Sequence, residues 1–198
     1  MFRPGRALRR HSVGNGSETG ETALVERIRR RDLRAFATLY KAYHPRLSRF
    51  LSNMLRRPHL VEEVLNDTMM VVWDKIDSFE GASKLSTWMF GIAYRQGLSA
   101  LRKLDEPVED ARSAENESIE PSPENSAGAQ GSKKALTEAI ETLSPAHRAV
   151  VNLTYFQELG YREIAEILDC PVDTVKTRMF HARRQLKNAL SGELADWI

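Results

Sequence analysis

A single cysteine, Cys170, stands in 198 residues. No intramolecular disulfide framework can form, and the composition suits a reducing compartment, so a cytoplasmic location is expected. No uninterrupted apolar run approaches the roughly 20 residues that a membrane helix needs, and no membrane insertion is expected. The opening MFRPGRALRRHSVGNGSETG lacks the apolar centre of a secretory signal. A large excess of charge is missing too. The 29 Lys and Arg against 27 Asp and Glu leave a formal net charge of +2, so any nucleic-acid surface has to be local. Catalytic signatures are absent: there is no Walker loop, GxGxxG, HExxH or CxxC. His11, His44, His59, His147 and His181 show no metal-ligand spacing with Cys170. The chain therefore reads as a non-enzyme, with no cofactor and no metal expected.

Acid is also missing locally, and that absence marks the most informative stretch. From Thr174 to Leu190 there is no Asp or Glu. Gly160 to Leu190 reads as two helices joined by a tight turn. Ile164, Ala165 and Leu168 form the apolar side of the first, and Cys170-Pro171 breaks it. Asp173 or Thr174 is placed to cap the second. Val175, Met179, Ala182 and Leu186 recur at helical spacing as a buried face. Thr177, Phe180, His181 and Arg184 fall opposite, with Lys176 and Lys187 beside them and Arg178 on the flank. A packed helix followed by a cationic one is the pattern of a helix-turn-helix, whose second helix enters the DNA major groove. Simple solvation explains Arg183 or Lys187 equally well. It does not explain Phe180, which on a polar face needs a cover such as a thymine methyl, a sugar or a neighbouring helix.

The rest of the chain is helical by periodicity, without internal repeats. Residues 1–20 are expected to be a disordered basic N-terminal extension. Residues 21–103 form a helical domain. Leu24 and Ile28 share a face, and Phe36, Leu39, Tyr40, Tyr43, Leu47, Phe50 and Met54 continue at three- and four-residue steps. Pro45 either starts a new helix or kinks a continuous one, and Pro58 marks a break. A helix from about Leu60 to Asp77 offers Val61, Val64, Leu65, Thr68, Val72 and Ile76 to the core. Its other side carries Glu62, Glu63, Asn66 and Asp67, with Met70 and Val71 as extra apolar surface. That side is either a solvated face or a dock for a basic partner.

After the Phe79–Leu85 loop, Ser86 or Thr87 can cap a helix that runs to Lys103. Its first half is apolar almost all round, which implies burial, and its second half carries Arg95, Ser99, Arg102 and Lys103. Trp88, Phe90 and Tyr94 stand beside this basic stripe as candidates for stacking unpaired bases, although Trp88 fits the core better. Residues 104–134, rich in Pro, Ser, Gly, Asn and Glu, read as a flexible acidic linker. Some 30 residues of coil span ~30 Å and reach ~100 Å when stretched. That is enough for two domains to touch DNA sites two helical turns, ~70 Å, apart. Residues 135–198 complete the reading as a helix-turn-helix domain, supported by Ala135–Leu143 and Pro145–Phe156. The expected fold class is all-α, with two small helical domains joined by the linker.

Two blocks in this order resemble the sigma-70 family of sigma factors, of the extracytoplasmic-function (ECF) type with only regions 2 and 4. The resemblance covers roughly Asp32 to Lys103 and Leu136 to Leu190. In region 4 it is carried by Leu143, Arg148 and Val150, then Glu163-Ile164-Ala165, then Thr174-Val175-Lys176-Thr177-Arg178 with Ala182-Arg183. In region 2 it is carried by Glu62, Glu63, Asn66, Asp67 and Trp73, then Thr87-Trp88-Met89 with Ile92-Ala93. Departures are Asn66-Asp67 for Gln-Glu, Met69 for Phe, Arg95 and Ser99 for Asn and Asp, and Asp173 for Gly.

The resemblance implies a sigma factor that binds core RNA polymerase and directs promoter-specific transcription initiation. Glu62, Glu63, Asn66, Asp67 and Met70 would dock on the clamp of the polymerase largest subunit. Ala82, Ser83, Lys84, Leu85, Arg95, Arg102 and Lys103 would recognise and melt the −10 element. Thr174, Lys176, Thr177, Arg178, Phe180, His181 and Arg184 would read and hold the −35 element. The acidic linker would pass through the polymerase in the manner of an RNA strand, and an anti-sigma factor is the expected partner. Two other readings compete. One is a repressor or activator that uses residues 21–103 for sensing or dimerisation; the other is an all-helical adaptor that binds only protein. The acidic helix followed by a basic aromatic one is not required of a sensor domain, and the acid-free helix is not required of an adaptor.

Overall fold

The computed structural model describes residues 15–105 and 135–190. These residues are helical, with no strand among them. Helix α1 spans Asn15–Arg29 and α2 spans Leu33–Leu55. The first helix starts at Asn15, ahead of the boundary expected at residue 21. The break between the two helices is not marked by proline or glycine. Arg31 takes a left-handed conformation at φ 61°, and the Asp32 carboxylate then accepts from the Arg34 and Ala35 amides at 2.9 and 3.2 Å. Arg27 forks onto the same carboxylate at 2.9 and 2.7 Å. These donors hold the Asp32 carboxyl below its ordinary range, the Arg27 hydrogen bond first among them.

Helix α2 continues unbroken through Pro45, which sits on its exposed side. Leu39, Tyr43, Leu47, Phe50 and Met54 are buried along the expected face, and Phe36 and Tyr40 are half-buried beside them. Pro58 opens α3, Pro58–Lys75, at its first turn, where no N–H is needed. All six core positions expected of this helix and the turn after it are buried: Val61, Val64, Leu65, Thr68, Val72 and Ile76. A 3-10 turn, Ile76–Ser78, leads to a loop in which Gly81 takes φ +74°, a conformation that disfavours any side chain.

Helix α4, Leu85–Asp105, begins one residue earlier than the sequence suggests, so Ser86 and Thr87 lie inside it rather than capping it. It crosses α2 closely: a Cβ at Gly97 would fall 2.1 Å from the Met54 methyl. Residues 135–141 form α5, followed by α6 (Pro145–Tyr155), α7 (Tyr161–Leu168) and α8 (Val172–Ala189). Ser144 caps α6 by accepting from the His147 amide at 3.3 Å. The last helix starts at Val172 with no side-chain cap, so neither Asp173 nor Thr174 is its cap. Pro171 occupies the cap position in an extended conformation (φ −58°, ψ 148°), helical geometry begins at Val172, and Asp173 lies in the first turn.

One apolar core runs through both halves of the chain. Helix α2 packs against α1, α3 and α4 on the N-terminal side and against α6 on the C-terminal side, while α7 lies on α4. The two helical domains thus pack against one another. The boundary is crossed by polar contacts as well: Arg46 Nε donates to Gln157 Oε1 at 3.1 Å, and Arg56 pairs with Glu141. Arg148, buried, donates to its own Leu143 carbonyl at 2.5 Å and to the Met54 carbonyl in the last turn of α2 at 2.9 Å. The expected linker, from residue 106 onward, and most of the N-terminal extension lie outside the described residues.

Candidate nucleic-acid interface

Helix α8 separates into the two faces read from its spacing. Val175, Met179, Ala182 and Leu186 are buried, and Lys176, Thr177, Phe180, His181, Arg184 and Lys187 are exposed. Phe180 is 63% exposed and meets only the edge of His181, at a centroid distance of 5.6 Å, among the ring contacts seen. Of the three covers open to it, a neighbouring helix is not supplied among the described residues. Lys176 folds back onto Asp173 at 2.9 Å, and the Thr177 hydroxyl donates to the Asp173 carbonyl at 2.9 Å. Thr174 and Arg178 are half-buried. The Arg178 guanidinium reaches Cys170 Sγ at 3.8 Å and its charge acts on the Tyr94 hydroxyl on α4. Burial is the main cause that raises the Tyr94 phenol above its ordinary value, and Arg178 opposes it. Arg183 is held outside the reading face by Tyr155, whose hydroxyl it contacts at 2.8 Å.

The polar side of α3 is open. Glu62, Glu63, Asn66 and Asp67 are exposed, and Met70 is 59% exposed among them. Met69, one residue away, is buried in the core. An exposed methionine framed by carboxylates is an adaptable apolar contact with an acidic rim, suited to a basic protein surface.

The third surface is the loop before α4 with the outer side of that helix. Ala82 and Lys84 are exposed, Ser83 is half-buried, and Arg95, Arg102 and Lys103 project outward. Two expectations fail here. Leu85 is 2% exposed and packs into the core, so in this arrangement it cannot touch DNA. Phe90 and Tyr94 are buried as well, which leaves no face for a base. The apolar perimeter of the helix governs: aromatics in a segment apolar all round belong to the interior. Phe90 meets Phe50 edge-on at 5.3 Å, and half-buried Trp88 leans on Phe79 at 5.4 Å.

The loop also meets a residue that the sequence reading did not single out as functional. Lys84 Nζ lies 2.6 Å from Glu163 Oε1 on α7. The Lys84 hydrogen bond is the main cause that lowers the Glu163 carboxyl, with the Gly160 amide adding to it and partial burial opposing it. A folded pKa below the ordinary 4.5 means that this tie is fully present above that value. It is lost as pH falls through the lowered one. Around it is a cleft of ≈ 600 Å³ whose lining includes Glu21, Glu26, Arg29, Phe79, Lys84 and Glu166. The motif Glu163-Ile164-Ala165 marked Glu163 as a helix residue, but nothing local in sequence could pair it with Lys84, 79 positions away.

Among known families, the profile described as Sigma-70 region 2 matches residues 39–106, and that described as Sigma-70, region 4 matches residues 133–186. Together they take in more than half of the chain, in the family's order. The chain belongs to the sigma-70 family, in its ECF branch. It is similar to the ECF RNA polymerase sigma-E factor of Haemophilus influenzae, with 29% identity over 180 residues, 86% of this chain and 95% of the relative. Identity to the sigma-E factor of Escherichia coli K12 is also 29%, over 178 residues, 85% of this chain and 93% of that one. Among solved structures it is similar to the sigma factor RpoE of Bartonella quintana, crystallised with the anti-sigma factor NepR. The TM-score is 0.62 and the identity 29%, covering 80% of this chain and 98% of that chain. CnrH, solved with the cytosolic domain of CnrY, shares the fold at a TM-score of 0.61 and 19% identity, covering 84% and 94%.

Region 2 of this sigma factor is thus built on α2 to α4, and region 4 on α5 to α8. The exposed α3 face, the Gly81–Lys84 loop and the outer face of α8 are three surfaces of the same molecule. Sigma factors are initiation factors rather than enzymes. No described helix is long and apolar enough to cross a membrane.

Proposed function

We propose that this sigma factor binds core RNA polymerase through the α3 face and acts in the cytoplasm. Region 2 recognises and melts the −10 element through Ala82, Ser83, Lys84, Arg95, Arg102 and Lys103. Region 4 reads the −35 element through Thr174, Lys176, Thr177, Arg178, Phe180 and His181, with Arg184 on phosphate. An anti-sigma factor controls it, as the anti-sigma factor NepR accompanies the similar sigma factor RpoE of Bartonella quintana. The domain plan behind this proposal is a region 2 unit over 21–103, a connection over 104–134 and a region 4 unit over 135–198. The carrying observation is the division of α8, with an uninterrupted buried stripe behind an exposed, acid-poor face that presents Phe180 and His181. In vitro transcription with core polymerase and a promoter library tests the whole reading. Initiation is expected from a defined promoter subset, and failure to redirect initiation on any promoter would refute it.

Two substitutions test the surfaces separately. Asp67→Lys reverses a charge on the docking face without touching the core, so capture by core polymerase is expected to weaken on the order of tenfold with the melting temperature unchanged. Undiminished pull-down removes the α3 assignment. Arg178→Ala is expected to weaken promoter binding by ~1–3 kcal/mol and to relax one −35 position. An unaltered sequence preference would instead mark Arg178 as a residue of the contact with Tyr94 alone.

A further inference from the structure

Helix α2 carries a charge pattern that none of the three surfaces uses. From Leu33 to Val61 the sequence has no Asp or Glu, yet Arg34, Lys41, Arg46, Arg49, Arg56 and Arg57 fall in that stretch. A chain with a formal net charge of only +2 thus concentrates positive charge on one helix and the turn after it. Two of these cations are taken up by the fold. Arg46 is half-buried and donates to Gln157, and Arg56 pairs with Glu141. Arg34, Lys41 and Arg49 are exposed, and their side chains have no hydrogen bond or ion pair among the described residues.

Helical spacing puts these three on one side. At about 100° per residue they fall within roughly 80° of one another around the axis. At a rise of about 1.5 Å per residue they stand roughly 10 and 12 Å apart along it. Helices α1, α3, α4 and α6 pack on the rest of α2, so the stripe lies on the side that no helix covers. What separates the cations is small: Thr38, Pro45 and Ser52 are exposed between them, with half-buried Ser48 at the edge. Leu33, an exposed apolar residue of α2, is turned about 100° from Arg34 and stands outside the stripe.

This composition selects the partner. A protein interface is anchored by apolar or aromatic side chains at its centre, and the stripe offers none. A membrane surface needs an apolar face to bury, which is equally missing. A phosphate backbone needs only spaced cations, hydroxyl donors and small residues that let it come close. We propose that the Arg34–Lys41–Arg49 stripe of α2 binds the phosphate backbone of duplex DNA without regard to sequence. The contact adds affinity and salt dependence, and it leaves the choice of promoter to the reading surfaces. It needs no promoter element, so it stands apart from the assignments above.

The test follows the full chain, without polymerase, binding a labelled duplex of about 25 base pairs and arbitrary sequence over roughly 50–200 mM salt, by fluorescence anisotropy. Arg34→Gln, Lys41→Gln and Arg49→Gln combined are expected to make the slope of log affinity against log salt shallower by about 2–3, close to 0.9 for each phosphate given up. Binding at the low-salt end is expected to weaken at least about tenfold. The charge-keeping set Arg34→Lys, Lys41→Arg and Arg49→Lys is expected to bind as the natural chain does. Lys75→Gln removes an exposed cation of α3 and is expected to leave the slope within about 0.3. Should the combined Gln set lower the melting temperature, the single changes are read instead, each expected at about 0.9 of slope. No duplex binding by the natural chain, an unchanged slope in the Gln variants, or an equal change from Lys75→Gln overturns the proposal. So does a charge-keeping set that loses the slope. A Gln set that keeps the DNA slope but loses capture by core polymerase overturns it too, and assigns the stripe to a protein partner.

Discussion

Phe90→Ala is expected to lower the unfolding free energy by about 3–5 kcal/mol, the usual cost of emptying a fully buried phenylalanine site. The ring is 0% exposed, meets Phe50 edge-on at 5.3 Å, and carries the Arg46 guanidinium 5.5 Å from its centroid. Little of this can relax, because α4 lies close against α2 at Gly97. Denaturant unfolding of the full chain followed by circular dichroism measures the loss, and Phe90→Leu is expected to retain most of the stability. A variant that keeps its stability yet loses −10 recognition selectively would return Phe90 to the role of a stacking platform.

Arg148→Ala is the second large effect, expected at about 2–4 kcal/mol, because two carbonyls would lose a charged donor at once. One of them, Leu143, is in the turn before α6, and the other, Met54, ends α2. Burial is the main cause that lowers the Arg148 guanidinium from its ordinary value, with Arg56 adding to it and Glu141 opposing it, so this cation depends on its carbonyls. Arg148→Lys keeps the charge but not the planar fork, and is expected to recover at most half of the loss. Comparison with an isolated region 2 fragment is unnecessary: the unfolding midpoint of the full chain suffices. A change under about 0.5 kcal/mol would mean that water replaces the guanidinium at both carbonyls.

The parts of the molecule that were legible in sequence are those set by period alone. The α8 stripe of Val175, Met179, Ala182 and Leu186, and the six core positions from Val61 to Ile76, are buried as their spacing requires. What spacing does not encode was missed. The turn between α1 and α2 depends on Arg31 adopting a left-handed conformation, an uncommon choice for arginine, with Asp32 then collecting amides. The start of α8 differs because extended Pro171, which has no side-chain acceptor, stands at the cap position immediately before Val172. Phe90 and Tyr94 were offered a surface role by their basic neighbours, although the all-round apolar character of that segment already placed them inside. The packing of the two domains on one another was not legible in the sequence either. A hydrophilic connecting segment describes how far the ends can separate, not whether they prefer to meet. The apolar core shared by the two halves is joined at the boundary by Arg46, Arg56 and Arg148, residues that look like surface cations until their partners come from elsewhere in the chain.

The two-sided packing of α2 bears on how the protein is made. Its N-terminal partners leave the ribosome just before it (α1) or soon after it (α3 and α4), but α6 follows roughly 100 residues later, an interval of about 5–20 s at ordinary rates of synthesis. Throughout that interval the nascent chain shows water a helix flank whose lasting cover has not yet been translated, and whose last carbonyls still await the Arg148 side chain. The growing polypeptide therefore passes through a stage in which chaperones, rather than its own sequence, have reason to occupy that flank.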